Sequence, residues 1–451
     1  MRLDPLSRAS SASVAGSSVV GSWLSGIWIT GQRLRVHGII LALCLWSVYG
    51  WNVAAPGMLD RNGNLKGADF SHFYTLGSIG LTHRSADLYD TDAQAKITAH
   101  RIPGADGITY IPLYPPQVSI LFAPLAALSY GTALVIWLIF SALVYSLCCY
   151  ALWRVCPRLR NERSTVLLLA IAFPGVFYLI VWGQTSALAL ACFTAAFFFL
   201  RDARPFLAGV ALGCLIFKPQ LGIAAAFIFL YMRAWRVIAG GMLSAALQLA
   251  VPAIYYGREY SRESLTAWMH TMHAVAYDVA MLEPRPSQAH SLRIFWALLV
   301  PGRAAPLALY VVSACIVLAL IAAVWSRRQA LPLSVRYSSL LVASVLVAPH
   351  LIVYDLVILA PVFLLLSDWI LDRRPESVPS ISTSPILTSP ISTSSISTSR
   401  MNVVLYLLFL APLAGGPIAQ WTHLQLSVVL MSVLVYLIWR ESRRKLLAVG
   451  E

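Results

Sequence analysis

Apolar runs about as long as a bilayer is thick recur along this chain, and at every second boundary they end in a cluster of arginines. A polypeptide in lipid must satisfy its backbone N–H and C=O groups internally, which leaves helices and closed barrels as the spanning structures. Barrel strands alternate apolar and polar residues over about 10 positions; the runs here are longer and continuous, so they read as helices. With 59% hydrophobic and 12% charged residues among 451, a soluble core could not bury so much apolar surface.

The arginines set the topology. Arg33 and Arg35 precede a first span at 36–55 and hold the N-terminus in the cytoplasm, so the long polar stretch 56–116 faces outward. Amphipathic helices are expected in it near 71–81 and 92–100, then a short apolar helix at 117–128. The span 132–153 meets Arg154, Arg158, Arg160 and Arg163. Spans 164–181 and 185–200 join at the outward turn Trp182-Gly183-Gln184 and return to Arg201 and Arg204. Two short apolar pieces, 205–217 and 220–232, are broken at Lys218-Pro219 and end at Arg233 and Arg236; they are two short spans or a re-entrant pair. A span at 237–255 leads to an outward loop, 257–291; 305–325 returns to Arg327 and Arg328, 333–348 goes out, and 352–371 returns to Arg373 and Arg374.

The domain plan follows: a flexible cytoplasmic N-terminus (1–32), a transmembrane module (33–374), a low-complexity Ser/Thr/Ile/Pro linker (375–400), and a C-terminal hairpin with a basic tail (401–451) whose spans are expected at 403–413 and 424–439. The expected fold is an all-α polytopic membrane protein with about 10–12 transmembrane helices. The net charge of +14 sits in short clusters between apolar runs and forms no basic stripe, which argues against a nucleic-acid partner. The seven cysteines lie in or beside apolar segments without paired spacing and read as small hydrophobes. The first 32 residues lack an apolar core followed by a small-residue cleavage site, so no cleaved signal peptide is expected.

Polar residues concentrate in a few places. Asp69, in Gly67-Ala68-Asp69-Phe70-Ser71-His72-Phe73-Tyr74, is either a general base at the membrane surface or a helix N-cap. Asp87-Leu88-Tyr89-Asp90 and the Tyr110–Pro116 stretch, with Tyr114, offer aromatic rings that stack on a sugar or sit at the headgroups. Gln184 marks a site or a plain turn. Lys218, beside Pro219 and Gln220 in an apolar run, costs at least about 2.5 kcal/mol at mid-bilayer unless it faces a cavity, an anion or the interface. A phosphate is its most natural ligand. Four-residue spacing puts His350 and Tyr354 on one face, with Asp355 beside them, if a helix begins near Pro349. The 257–291 loop adds arginines with Trp268, His270, His273 and Asp278, but no third ligand has metal-site spacing, and neither a metal nor a cofactor is expected.

Taken in order, Asp69-Phe70 with Tyr74, Leu88-Tyr89-Asp90, Tyr114-Pro115-Pro116, Gly183-Gln184, Lys218-Pro219-Gln220, and Pro349-His350 with Tyr354-Asp355 resemble bacterial glycosyltransferase family 87 of the GT-C superfamily, which includes polyprenol-phosphate-mannose-dependent α-mannosyltransferases. The resemblance covers roughly residues 68–365 and rests on the order of several weak motifs. It implies an inner-membrane enzyme that moves a sugar, mannose or another hexose, from a polyprenyl-phosphate carrier to a glycan or glycolipid hydroxyl at the periplasmic face. It also implies Asp69 as the catalytic base, His350 as a second catalytic residue, and Lys218 at the donor phosphate with Arg285 or Arg293 as helpers. Tyr74, Tyr114, Gln184, Gln220, Tyr354 and Asp355 would contact sugar or acceptor. The alternative is a lipid-linked sugar flippase, although the long first loop and the Lys218-Pro219 break have no counterpart in the second half.

Overall fold

The structure, a computed structural model, describes residues 30–277, 285–373 and 393–447. The first 29 residues, Asp278 and most of the Ser/Thr/Ile/Pro tract lie outside them. The described residues are helical, with two isolated bridges, Leu59 to Leu65 and Ala289 to Ile352, in place of any sheet. The protein is an all-α polytopic membrane protein.

Six helices are long and apolar enough to cross a membrane, seven if the bent pair described below is one span. Helix α1 (Gly31–Val53) turns Ile40, Leu43, Val48 and Trp51 outward, and only 11% of its apolar window is buried. Such a surface is stable only against lipid. At the other extreme, the Val353–Leu371 span is 78% buried and forms the middle of the bundle. Six or seven spans are fewer than the 10–12 expected, because several of the apolar runs fold as helices of only 10–17 residues among the described residues.

The polar segment 56–116 and the run after it fold as the periodicity predicts, into α2 (Ala68–Leu81), α3 (Thr91–Arg101) and the short α4 (Gln117–Ala126), followed by α5 (Tyr130–Arg154). The run expected as one span at 164–181 is bent by 41° between α6 (Arg163–Ala172) and α7 (Pro174–Trp182). Pro174 lacks an N–H and biases Phe173 toward extended backbone, seen at ψ 118°. Helix α8 (Ser186–Arg201) follows. The broken pair is a hairpin, α9 (Pro205–Gly213) and α10 (Ile223–Tyr231), with 3-10 turns on either side of Lys218 at its tip.

Helix α9 lies against α11 (Trp235–Tyr255) at backbone contact. A Cβ at Gly209 would stand 1.9 Å from the Val237 carbonyl oxygen, whereas one at Gly241 would meet nothing closer than 3.4 Å. Small residues take this role between membrane helices because dispersion, with no hydrophobic drive, holds them together.

The 257–291 loop is helical over α12 (Arg258–Tyr277). Its buried stripe is Ser261, Ser264 and Trp268, spaced three and four apart but mostly polar, so apolar periodicity does not reveal it. Beyond it lie α13 (Leu292–Leu299), α14 (Ala304–Ser326), α15 (Leu333–Val347) and α16 (Ala360–Leu371), the last entered through a 3-10 segment, Val353–Leu359. The final helices are α17 (Thr393–Thr422) and α18 (Leu426–Leu447). Residues 393–400, expected in the linker, belong to α17.

The arginine-bearing helix ends meet at one end of the bundle. Arg158 donates from its backbone N–H to Asp368 (2.8 Å) and from Nε to Asp372 (2.9 Å), and Arg327 donates to Ser442 (3.1 Å). Replacing Gly209 by Ala forces the α9 and α11 backbones apart and is expected to cost about 1–3 kcal/mol. Gly241→Ala should cost little; thermal unfolding of both variants in detergent is the check.

Candidate active site

The site is assembled from three inter-helix turns and one helix start. Helix α7 ends at Gly183 in the left-handed conformation (φ 68°), where its N–H and that of Gln184 return to the Leu179 carbonyl (3.0 and 3.2 Å). The Trp137 indole donates to the Gly183 carbonyl at 2.8 Å, and a Cβ on Gly183 would lie 2.7 Å from Phe70 Cβ. The turn is thereby pressed against the first turn of α2, which brings Gln184 to Asp69.

Gln184 Nε2 donates to Asp69 Oδ2 at 2.7 Å. Its Oε1 accepts from the Thr185 N–H (3.0 Å), the Lys218 ammonium (3.2 Å) and, more weakly, the Tyr114 hydroxyl (3.4 Å). These partners fix the amide orientation, since only its nitrogen can face a carboxylate and only its oxygen an ammonium. Lys218 also donates to Ser186 Oγ (3.1 Å) and to Asp355 Oδ1 (2.7 Å), and Ser186 donates to the same Asp355 oxygen at 2.5 Å. Lys218 and Asp355 are 3% and 2% exposed, so this is a fully desolvated ion pair. The Tyr354 ring covers the ammonium, 5.0 Å from its centroid.

Asp69 is not a helix cap: Gly67 holds that position, and Asp69 sits in the first turn with its carboxylate turned to Gln184. Burial pushes its pKa up to about 6, opposed by Gln184, Lys218 and Tyr354. A carboxylate so placed is ionised near neutral pH yet takes a proton readily, as a general base must. Tyr110 lies beside it with its ring parallel to His72 (centroids 4.5 Å apart) and its hydroxyl on Ser71. Burial raises Tyr110 to about 12 and lowers His72 to about 3, so both stay neutral next to the carboxylate.

The network unites Asp69, Tyr114, Gln184, Lys218, Tyr354 and Asp355 from the predicted set. Within it the Lys218 ammonium donates to Gln184, Ser186 and Asp355, so the residues expected at the donor phosphate and at the sugar are paired with each other in the structure. Tyr74 does not reach the site; it is 1% exposed, its hydroxyl donates to the Leu128 carbonyl (2.7 Å), and Arg101 binds that hydroxyl (3.1 Å). Gln220 is half-buried in the 3-10 turn after Lys218. His350 and Tyr354 do not share a helix face, because the helix starts at Val353 and Ile352 is extended (ψ 166°). Arg293 is buried in α13, where its charge acts on Tyr310, and Arg285 is exposed on a shallow pocket with Gln420 and His423. Sequence reasoning assigned no role to Ser186, although its place two residues beyond Gln184 at a helix start was a signal, and it read Tyr110 only as one of the rings that stack on a sugar or sit at the headgroups.

This is the site of a polytopic membrane protein organised around two carboxylates and one buried lysine. The family model of glycosyltransferase family 87 matches residues 113–349, more than half of the chain. The chain belongs to that family and is a membrane glycosyltransferase. No curated protein and no solved structure matches it. The matched segment holds Tyr114, Gln184 and Lys218, whereas Asp69, Tyr354 and Asp355 join them only through the folded contacts.

Removing one partner of a buried pair strands the other charge. Lys218→Met should therefore lower stability by about 3–5 kcal/mol, and adding Asp355→Leu should restore much of it. Unfolding of the two single variants and the double variant in detergent gives the coupling.

Proposed function

We propose that the chain transfers a sugar, mannose or another hexose, from a polyprenyl-phosphate donor to a glycan or glycolipid hydroxyl at the periplasmic face of a bacterial inner membrane, by one inverting displacement with Asp69 as base. The observation that carries this reading is the Asp69 carboxylate, held at 2.7 Å by Gln184 and raised to about 6. The acceptor oxygen attacks the anomeric carbon as its proton passes to Asp69. The bond from that carbon to the phosphate oxygen breaks, and its electron pair leaves with the polyprenyl phosphate. A phosphate leaves without a general acid, so one carboxylate suffices.

Lys218 acts on the base by orienting Gln184 and by holding Asp69 from rising further. Cations are still needed where the leaving phosphate gathers charge. Arg285 and Arg293 remain the proposed ligands there, and His350 a second catalytic group on the turn that leads to Tyr354. Tyr114 and Tyr354 are the proposed sugar contacts. The arginine-rich helix ends support the periplasmic assignment, because they gather at one end of the bundle and mark it as cytoplasmic.

Membranes carrying the wild type or Asp69→Asn, supplied with labelled polyprenyl-phosphate-mannose, provide the test. Transfer should fall about 10²–10⁴-fold in the variant. Unchanged transfer would remove Asp69 as the base, and lipid translocation without transfer would favour a flippase. The wild-type rate should decline as pH drops through about 6, because only the ionised carboxylate accepts the proton and burial has moved its titration up from the ordinary aspartate range. A rate constant down to pH 4.5 would contradict this.

A further inference from the structure

A second buried polar cluster lies where the C-terminal hairpin meets the segment before α13. Gln425, fully buried in the turn between α17 and α18, donates from Nε2 to the Ser287 carbonyl (2.9 Å) and the Ala289 carbonyl (2.8 Å). Ser427, at the start of α18, hydrogen-bonds His290 Nδ1 at 2.7 Å, and both side chains are buried. Gln420 Nε2 adds a longer bond to Ser287 Oγ at 3.4 Å. Burying polar side chains is costly unless they find partners, and here the Gln425 Nε2, Ser427 and His290 find theirs across the hairpin boundary, while the Gln425 Oε1 is buried without one.

The far side of the same segment leads to the active site. Ala289 pairs with Ile352 in an antiparallel bridge, and the His290 N–H donates to the Leu351 carbonyl at 3.0 Å. Ile352 in turn accepts the Asp355 N–H at 2.9 Å, which opens the 3-10 segment carrying Tyr354 and Asp355. Gln425 is thus joined to the Lys218 counter-ion by a side-chain clamp, one backbone pairing and one helical turn. The hairpin lies beyond the family match, and in sequence it follows the Ser/Thr/Ile/Pro tract.

We propose that the C-terminal hairpin is a working part of the transferase, with Gln425 as a positioning residue that fixes the 349–355 turn and through it the Asp355–Lys218–Gln184–Asp69 chain. The proposal rests on Asp69 being the base. Releasing the clamp lets Asp355 move, which loosens Lys218 and then Gln184. Both of these lower the Asp69 pKa and outweigh Asp355, which raises it as the smallest of the causes, so its titration shifts upward. The other ionisable groups coupled to it are Asp355, Tyr110, Tyr114 and Tyr130.

Gln425→Glu keeps the size of the side chain but sets a carboxylate against two carbonyl oxygens; Ser427→Ala removes only the His290 partner. Thr422→Ala, an exposed change on the same hairpin, is the control. In full-length protein in membranes with labelled polyprenyl-phosphate-mannose, Gln425→Glu should lose roughly ten- to a hundredfold in kcat, the scale of a small misplacement, with less effect on the donor KM. The acid limb of its pH profile should move above that of the wild type, and Thr422→Ala should match the wild type. Ser427→Ala should show the same changes more weakly, and it decides the matter where Gln425→Glu fails to accumulate. Wild-type kcat and wild-type acid limb in both variants, with Asp69→Asn inactive, would overturn the proposal and leave the base assignment standing. An active Asp69→Asn would overturn the base assignment itself.

Discussion

One ammonium group governs how this protein is put together. Lys218 is almost fully buried, so the fold supplies an acceptor for each of its three hydrogens and one negative charge to balance it. Those acceptors come from α8, from the turn before it and from the segment before α16, which fixes the relative positions of three hairpins. A hydrophobic core tolerates small slips between helices. A desolvated lysine with three partners does not, and the same constraint sets the distance between Gln184 and Asp69.

The backbone devices elsewhere serve that arrangement. Pro219 stops the hairpin so that Lys218 sits at its tip, Gly183 lets the α7 turn lie flush against Phe70, and the Gly209 contact lets α9 stand close enough to α11 to be held in place. The first two interrupt regular helix and the third draws two helices together, and with them three turns and the start of α2 come together at the site. Loops positioned by a rigid scaffold are where chemistry is usually carried out.

Much of this was legible in the sequence because the bilayer restricts the choices. Arginine placement and run length gave the helices from Gly31–Val53 to Trp235–Tyr255 to within a few residues, apart from the bend at Pro174. The site residues were legible as breaks in apolar pattern: Asp69, Gln184, Lys218 and Asp355 each stand out from their surroundings. Their pairing was not, because no local rule says that a lysine will find an aspartate 137 residues away and not a ligand. Tyr74 misled for the opposite reason. It is a polar-tipped ring beside Asp69 in sequence, yet five residues along a helix turn it to another face, where the Leu128 carbonyl takes its hydroxyl. The α12 helix went unread because its buried stripe is built on serines.

The separation between Lys218 and Asp355 also bears on how the protein is made. A chain inserted from its N-terminus commits the α9–α10 hairpin to the membrane while Asp355 is still to be synthesised. Through that interval the ammonium has the oxygens of Gln184 and Ser186 as direct acceptors and the Asp69 carboxylate behind Gln184, all of which precede it in the chain. Those side chains can hold the lysine until the 353–359 segment brings the carboxylate that contacts it directly. The Lys218–Asp355 pair therefore closes only after the 353–359 segment has followed the lysine into the bilayer, which ties completion of this network to a late stage of membrane insertion.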